Sequence, residues 1–182
     1  MNILFPLLIL FSAALLFLLA ALYFLLLLPR FRSPDCSALM GYFYAHRGFH
    51  NLEEGIPENS MKAFRLAVEK GYGIELDVQL SADGVPVVFH DNTLARMCGV
   101  NRRVRELTLA ELKALSLGGT KEQIPTFQEF LEMVDGRVPL IVEIKMEKWD
   151  ARIPAAANEL LKEYKGPYCI ESFHPGALVW YR

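Results

Sequence analysis

Apolar residues run without a break from Ile3 to Leu28, apart from Ser12, and this stretch holds no charged side chain. It is long enough to cross a bilayer, which takes about 20 apolar residues at 1.5 Å rise each. Beyond it the pattern changes. From Gly41 onward, short apolar runs (GYFYA, IELDVQL, VPVVF, PLIVEIK, YCIESF) alternate with amphipathic segments (SMKAFRLAVEKG, LTLAELKAL, TFQEFLEMV, AAANELLKEY). Strands separated by helices of this length predict an α/β fold with a mainly parallel sheet.

The helices have local chemistry behind them. Met61, Phe64 and Val68 fall on one face, Asn59 or Ser60 can cap the start of that helix, and Gly71 can end it. Thr108 with Glu111 and Thr126 with Glu129 fit the capping box, in which hydroxyl and carboxylate satisfy free N–H groups at a helix start.

A cleavable secretory signal competes with the membrane-span reading of the first segment. Such signals carry a basic start and a shorter apolar core of roughly 7–15 residues. Met1-Asn2 is not basic, and the run ends in Pro29-Arg30-Phe31-Arg32, so a transmembrane anchor fits better. The expected organisation is an anchor over 1–29, a juxtamembrane linker over 30–40 and a folded domain over 41–182. Arg30 and Arg32 just beyond the span place that domain in the cytoplasm, giving a single-pass membrane protein.

Composition adds few constraints. The 182 residues carry a formal net charge of -2, and the 53% hydrophobic content owes its excess to the first segment. Cys36, Cys98 and Cys169 have neither a disulfide framework nor zinc spacing, and are read as reduced residues. Arg102, Arg103 and Arg105 form a basic cluster too small to argue for nucleic acid, and are read as a solvated loop. Neither an internal repeat nor a glycine-rich phosphate loop is present.

The polar faces of two strands change the picture. In IELDVQL, Ile74, Leu76, Val78 and Leu80 point one way and Glu75, Asp77 and Gln79 the other; in PLIVEIK, Glu143 and Lys145 share a face with Ile141. Parallel strands covered on both faces should read as nearly continuous apolar runs, and carboxylates are costly to bury without a cation or hydrogen bonds. Acidic residues towards the C-terminal ends of barrel strands mark the catalytic face. A tight turn centred on Asp83-Gly84 would set His90 opposite Asp77, and the first strand ends in His46 and Arg47.

Glu75, Asp77 and Glu143 form a plausible oxygen-rich site for a hard cation, Mg²⁺ or Ca²⁺. His46 and His90 can serve as acid and base. Arg47 and Lys145 can hold an anion. Together these groups describe a site for phosphoryl transfer.

At this point the sequence resembles the glycerophosphodiester phosphodiesterases. AHRG at 45–48, PENS at 57–60, ELD at 75–77, FHD at 89–91 and EIK at 143–145 match that family's motifs in order. The resemblance implies a TIM-type (β/α)8 barrel and metal-dependent hydrolysis of glycerophosphodiesters to an alcohol and glycerol 3-phosphate. It implies His46 and His90 as the acid–base pair, Glu75, Asp77 and Glu143 as metal ligands, Arg47 and Lys145 on the phosphate, Asn59 in support, and Glu58 either in support or touching the metal. His50 and His174 match no core motif position; Phe49, Tyr72 and Trp149 are read as packing residues, and Glu171 is unassigned.

The resemblance covers residues 41–174, whereas a complete barrel takes about 250 residues. The barrel is therefore expected to be incomplete here, with the parent protein continuing further. A phospholipase-type headgroup phosphodiesterase and a catalytically inactive membrane-tethered barrel are the alternatives. The expected partners are a glycerophosphodiester and the membrane, not nucleic acid.

Overall fold

In the computed structural model, which describes residues 4–27 and 35–182, the chain divides into two units, residues 1–35 and 36–182. The first contains one helix, α1 (Leu4–Leu27), whose described side chains are exposed along nearly all its length. Residues Phe5–Leu25 are long and apolar enough to cross a membrane, a test that a signal sequence also passes. Arg30 and Arg32, which orient the expected span, lie outside the described residues, as do residues 30–34 of the expected linker and the ends of the expected anchor.

The second unit is built on a five-stranded sheet. Strands β1 (Tyr44–His46), β2 (Gly73–Leu80), β4 (Leu140–Ile144) and β5 (Tyr168–Glu171) lie side by side in parallel, and β3 (Pro86–Val88) pairs antiparallel with the end of β2. Helices α2 (Met61–Glu69), α3 (Ala95–Cys98), α4 (Leu109–Lys113), α5 (Phe127–Val134), α6 (Arg152–Glu163) and α7 (Pro175–Tyr181) fall between or after the strands. Parallel neighbours joined through helices are the construction of a (β/α) barrel segment.

The alternation read in β2 and β4 sorts the two faces. Ile74, Leu76, Val78, Leu140, Val142 and Ile144 are fully buried in one cluster with Phe64, Phe127 and Phe130 of the covering helices. The opposite face carries Glu75, Asp77 and Glu143, and these too are buried. The helix starts behave as their sequences require: Thr108 and Thr126 close complete capping boxes, and the Ser60 hydroxyl accepts from the Ala63 N–H. Ser60 rather than Asn59 is therefore the cap.

The β2–β3 hairpin differs from the expected register. Val78 pairs with Val88 and Leu80 with Pro86, and the Phe89 N–H donates to the Asp77 carbonyl at 3.0 Å. Asp77 thus lies opposite Phe89, not His90. The connection is an odd loop of three residues, Ala82-Asp83-Gly84, closed by the Ser81 N–H on the Val85 carbonyl at 3.0 Å, with Gly84 at φ 82°. A three-residue loop ending in a left-handed residue shifts the pairing by one relative to a two-residue turn. The chain after β3 packs as a second apolar cluster around Phe89, Leu94, Val104, Leu112 and Ile124, which carries His90 back over the end of β2.

Candidate active site

Register places the chemistry at the C-terminal ends of the parallel strands. His46 is level with Glu75, and two residues further along β2 Asp77 is level with Glu143, which in turn is level with Glu171 of β5. Ligand oxygens of Glu75, Asp77 and Glu143 lie within 4.8 Å of one another. Strand pairing sets these residues on one face of neighbouring strands.

Asp77 is the centre. Its side chain is fully buried; Oδ2 accepts from Asn59 Nδ2 at 2.8 Å and faces Arg47 Nε at 3.6 Å, while Lys145 Nζ lies 3.1 Å from Oδ1. The Lys145 ammonium also donates to Glu143 Oε2 at 2.8 Å. The two neighbours of Asp77 from the first loops hold left-handed backbones, Arg47 at φ 57° and Asn59 at φ 52°. Non-glycine residues in this region are strained and gather at functional sites. The Arg47 N–H is tied to Glu75 through both its carbonyl and Oε2, each at 3.0 Å, and the Asn59 N–H donates to the Arg47 carbonyl at 2.9 Å. Gly48 lets this turn sit on α2, since a Cβ there would come within 2.9 Å of the Ala63 Cβ.

The electrostatics of the cluster are those of a site short of positive charge. Burial, then Asp77 and Glu143, push the Glu75 carboxyl up to about 7. Burial raises Glu143 as well, against the opposing pull of Lys145. Burial would lower the Lys145 ammonium, but Glu143 and Asp77 hold it above its ordinary value. Asp77 Oδ1 and Asn59 Oδ1 are buried without an aligned hydrogen-bond donor. Three buried carboxylates within 4.8 Å of one another, two of them sharing a single ammonium, fit a divalent cation, whose charge would favour their ionised forms.

The two histidines flank the carboxylates differently. His46 Nε2 stands 3.8 Å from Glu75 Oε2 with a largely exposed ring, and burial together with Arg47 lowers its pKa. His90 Nδ1 is 2.6 Å from Asp91 Oδ1, which leaves Nε2 as the nitrogen available for proton exchange. Behind this pair lies a network that the sequence did not disclose. Arg96 of α3 donates to Asp91 through Nε at 2.7 Å and to Glu58 Oε1 through Nη2 at 2.6 Å, and Glu58 Oε1 also accepts from Arg47 Nη1 at 3.1 Å. Burial would raise Glu58 and Asp91; Arg96, together with Arg47 at Glu58 and His90 at Asp91, outweighs it, so both carboxyls stay below their ordinary values. Arg96 reaches across 38 residues to Glu58, a contact with no periodic signature.

Of the residues expected at the site, His46, Arg47, Glu58, Asn59, Glu75, Asp77, Glu143 and Lys145 are joined by direct contacts. His90 connects through Asp91 and Arg96. His174 instead caps α7, its Nδ1 accepting from the Gly176 N–H at 3.1 Å. Phe49 and Tyr72 pack ring against ring, and Trp149 lies beside His174. Phe173, which the sequence did not single out, is 91% exposed at the end of β5 with Lys145 Nζ 5.9 Å from its ring centre.

Comparison with known proteins agrees with this geometry. The family model described as the glycerophosphoryl diester phosphodiesterase family matches residues 46–178. A glycerophosphodiester phosphodiesterase of Caldanaerobacter subterraneus subsp. tengcongensis is 39% identical over 128 residues, 66% of this chain and 51% of that protein. One from Bacillus altitudinis is 35% identical over 153 residues, 77% of this chain and 61% of that protein. Among solved structures, an Oleispira antarctica phosphodiesterase in complex with the product sn-glycerol-3-phosphate superposes with TM-score 0.72 at 33% identity, covering 80% of this chain and 62% of that one. A Thermotoga maritima glycerophosphodiester phosphodiesterase gives TM-score 0.64 at 35% identity over 75% of this chain and 56% of that one. The fold is that of the TIM-type barrel enzymes, and the chain spans about half to three-fifths of the length of these relatives.

Proposed function

The chain belongs to the glycerophosphoryl diester phosphodiesterase family, and from that premise we propose that the protein hydrolyses glycerophosphodiesters to an alcohol and glycerol 3-phosphate at the strand ends around Asp77. The observation that carries this reading is the convergence of three buried carboxylates with two histidines, an arginine and a lysine on one edge of the parallel sheet. The product named for the Oleispira antarctica relative supports the choice of substrate class.

Glu75, Asp77 and Glu143 would hold a divalent cation, Mg²⁺ or Ca²⁺, through their carboxylate oxygens. When bound, such a cation polarises a phosphoryl oxygen and offsets the charge that develops on it. Arg47 and Lys145 hold the remaining phosphate oxygens. His46, whose pKa is lowered by burial and Arg47, takes the proton of the attacking oxygen, either water or the neighbouring glycerol hydroxyl. His90, held through Nδ1 by Asp91, delivers a proton from Nε2 to the departing alkoxide as the P–O bond breaks. Attack by glycerol hydroxyl gives a cyclic phosphate, which water then opens with the two histidines in exchanged roles. Either route consumes one water. Glu58 and Asn59 position Arg47 and Asp77.

In the same reading α1 is a membrane anchor, with the enzymatic unit on the cytoplasmic side. Protease protection of the C-terminal unit in right-side-out vesicles supports that orientation, and its digestion reverses it.

The test is hydrolysis of glycerophosphocholine by the full chain with and without EDTA, beside Asp77→Ala, with glycerol 3-phosphate measured. Loss of product in both arms is expected. Hydrolysis that persists in EDTA, or cleavage of phospholipid headgroups with no glycerophosphodiester turned over, overturns the reading.

A further inference from the structure

Polar surface continues past the carboxylates. Beyond Asp77, the segment Gln79–Ala82 lines a cavity of about 200 Å³, together with Arg103, Arg105 and charged side chains that follow β4. Whole ligand sites run to about 300–1,000 Å³, so this is the size of a subsite. Lys145 joins it to the carboxylate cluster: the side chain lines the cavity while its ammonium contacts Glu143 at 2.8 Å and Asp77 at 3.1 Å. Because Lys145 belongs to both, a phosphodiester held at the cluster would lie next to the cavity.

The lining is unbalanced in charge. Arg103, Arg105, Lys145, Lys148 and Arg152 face it against only two carboxylates, Glu147 and Asp150. Glu147 is already shared by Arg103 and Arg105, and Asp150 is taken by Arg152. Lys148 has no carboxylate partner among the described residues. A concave surface lined by one sign of charge concentrates the field for an opposite ion.

We infer that this cavity receives the leaving alcohol and selects glycerophosphodiesters whose alcohol carries an anionic group of its own, a phosphate or a carboxylate. The inference rests on the proposed phosphodiesterase reading. Lys148 and Arg105 are its specificity-determining residues, since the charge of Lys148 is uncompensated and Arg105 stands 3.6 Å from a Glu147 that it shares.

Four substrates with the same glycerophosphate half test it on the full chain: the diesters of glycerol, glycerol phosphate, glycerate and choline. At low salt, kcat/KM for the phosphate- or carboxylate-bearing alcohol is expected to exceed that for glycerol by about tenfold, and added salt should shrink the ratio. The two anionic arms show which group is read. Lys148→Glu and Arg105→Glu should each collapse the ratio, and Lys148→Arg should keep it. Equal turnover of all four, or a ratio that survives Lys148→Glu, overturns the inference while leaving the phosphodiesterase reading intact. Failure to hydrolyse any of the four brings down both.

Discussion

Titrating Mg²⁺ or Ca²⁺ into the metal-free protein at pH 8, 7, 6 and 5 sets the cation against protons at the same carboxylates. Burial and its acidic neighbours raise the Glu75 carboxyl to about 7, so protons compete for it around neutral pH. A cation needs the carboxylate ionised and must expel that proton. Affinity should therefore be nearly flat above pH 8 and fall about tenfold per pH unit below 7, more steeply where Glu143, also raised, has to ionise too. Calorimetry in two buffers of different ionisation enthalpy counts the protons: about one released per cation bound at pH 6, and few at pH 8. Glu75→Gln removes the group being titrated, and should weaken binding at pH 8 while flattening the dependence near pH 7. Affinity unchanged between pH 8 and pH 5, or binding at pH 6 with no proton released, would refute the electrostatic picture of the cluster.

Arg96→Leu removes the bridge from Asp91 to Glu58. It should lower kcat by about 10–100-fold and shift the pH profile, with the cation affinity close to that of the parent and partial recovery in Arg96→Lys; a parental pH profile would mean that Arg96 does not position His90. Thr126→Ala deletes the hydroxyl that accepts from the Glu129 N–H at 3.1 Å. It should cost about 1 kcal/mol in chemical denaturation with the hydrolytic rate retained, because the α5 cap touches none of the catalytic groups; an unchanged midpoint would contradict the role given to the cap.

What the sequence disclosed, and what it withheld, follows from the range of each interaction. The carboxylates were legible because β2 and β4 alternate, so Glu75, Asp77 and Glu143 share a face whatever the loops do. The capping boxes at Thr108 and Thr126 span three residues and are equally local. The hairpin register was not, since Asp83-Gly84 fits a two-residue or a three-residue loop, and only the Ser81 to Val85 closure decides between them. Arg96 sits in a helix of four residues with no pattern around it, and its meaning lies in Glu58, brought near by β1 and α2 folding together. The basic cluster at Arg103 and Arg105 read as a solvated loop for the same reason. Its partner Glu147 lies 44 residues further on, beyond β4.

In the proposed reading Glu75, Asp77 and Glu143 gather to hold one divalent cation. Anomalous diffraction from crystals of the protein soaked in Mn²⁺ tests it most directly, since Mn²⁺ takes the same oxygen ligands as Mg²⁺. A single strong peak is expected within bonding distance of an oxygen from each of the three carboxylates, lost in Asp77→Ala. A peak placed elsewhere, or none in well-ordered crystals at saturating Mn²⁺, would contradict it.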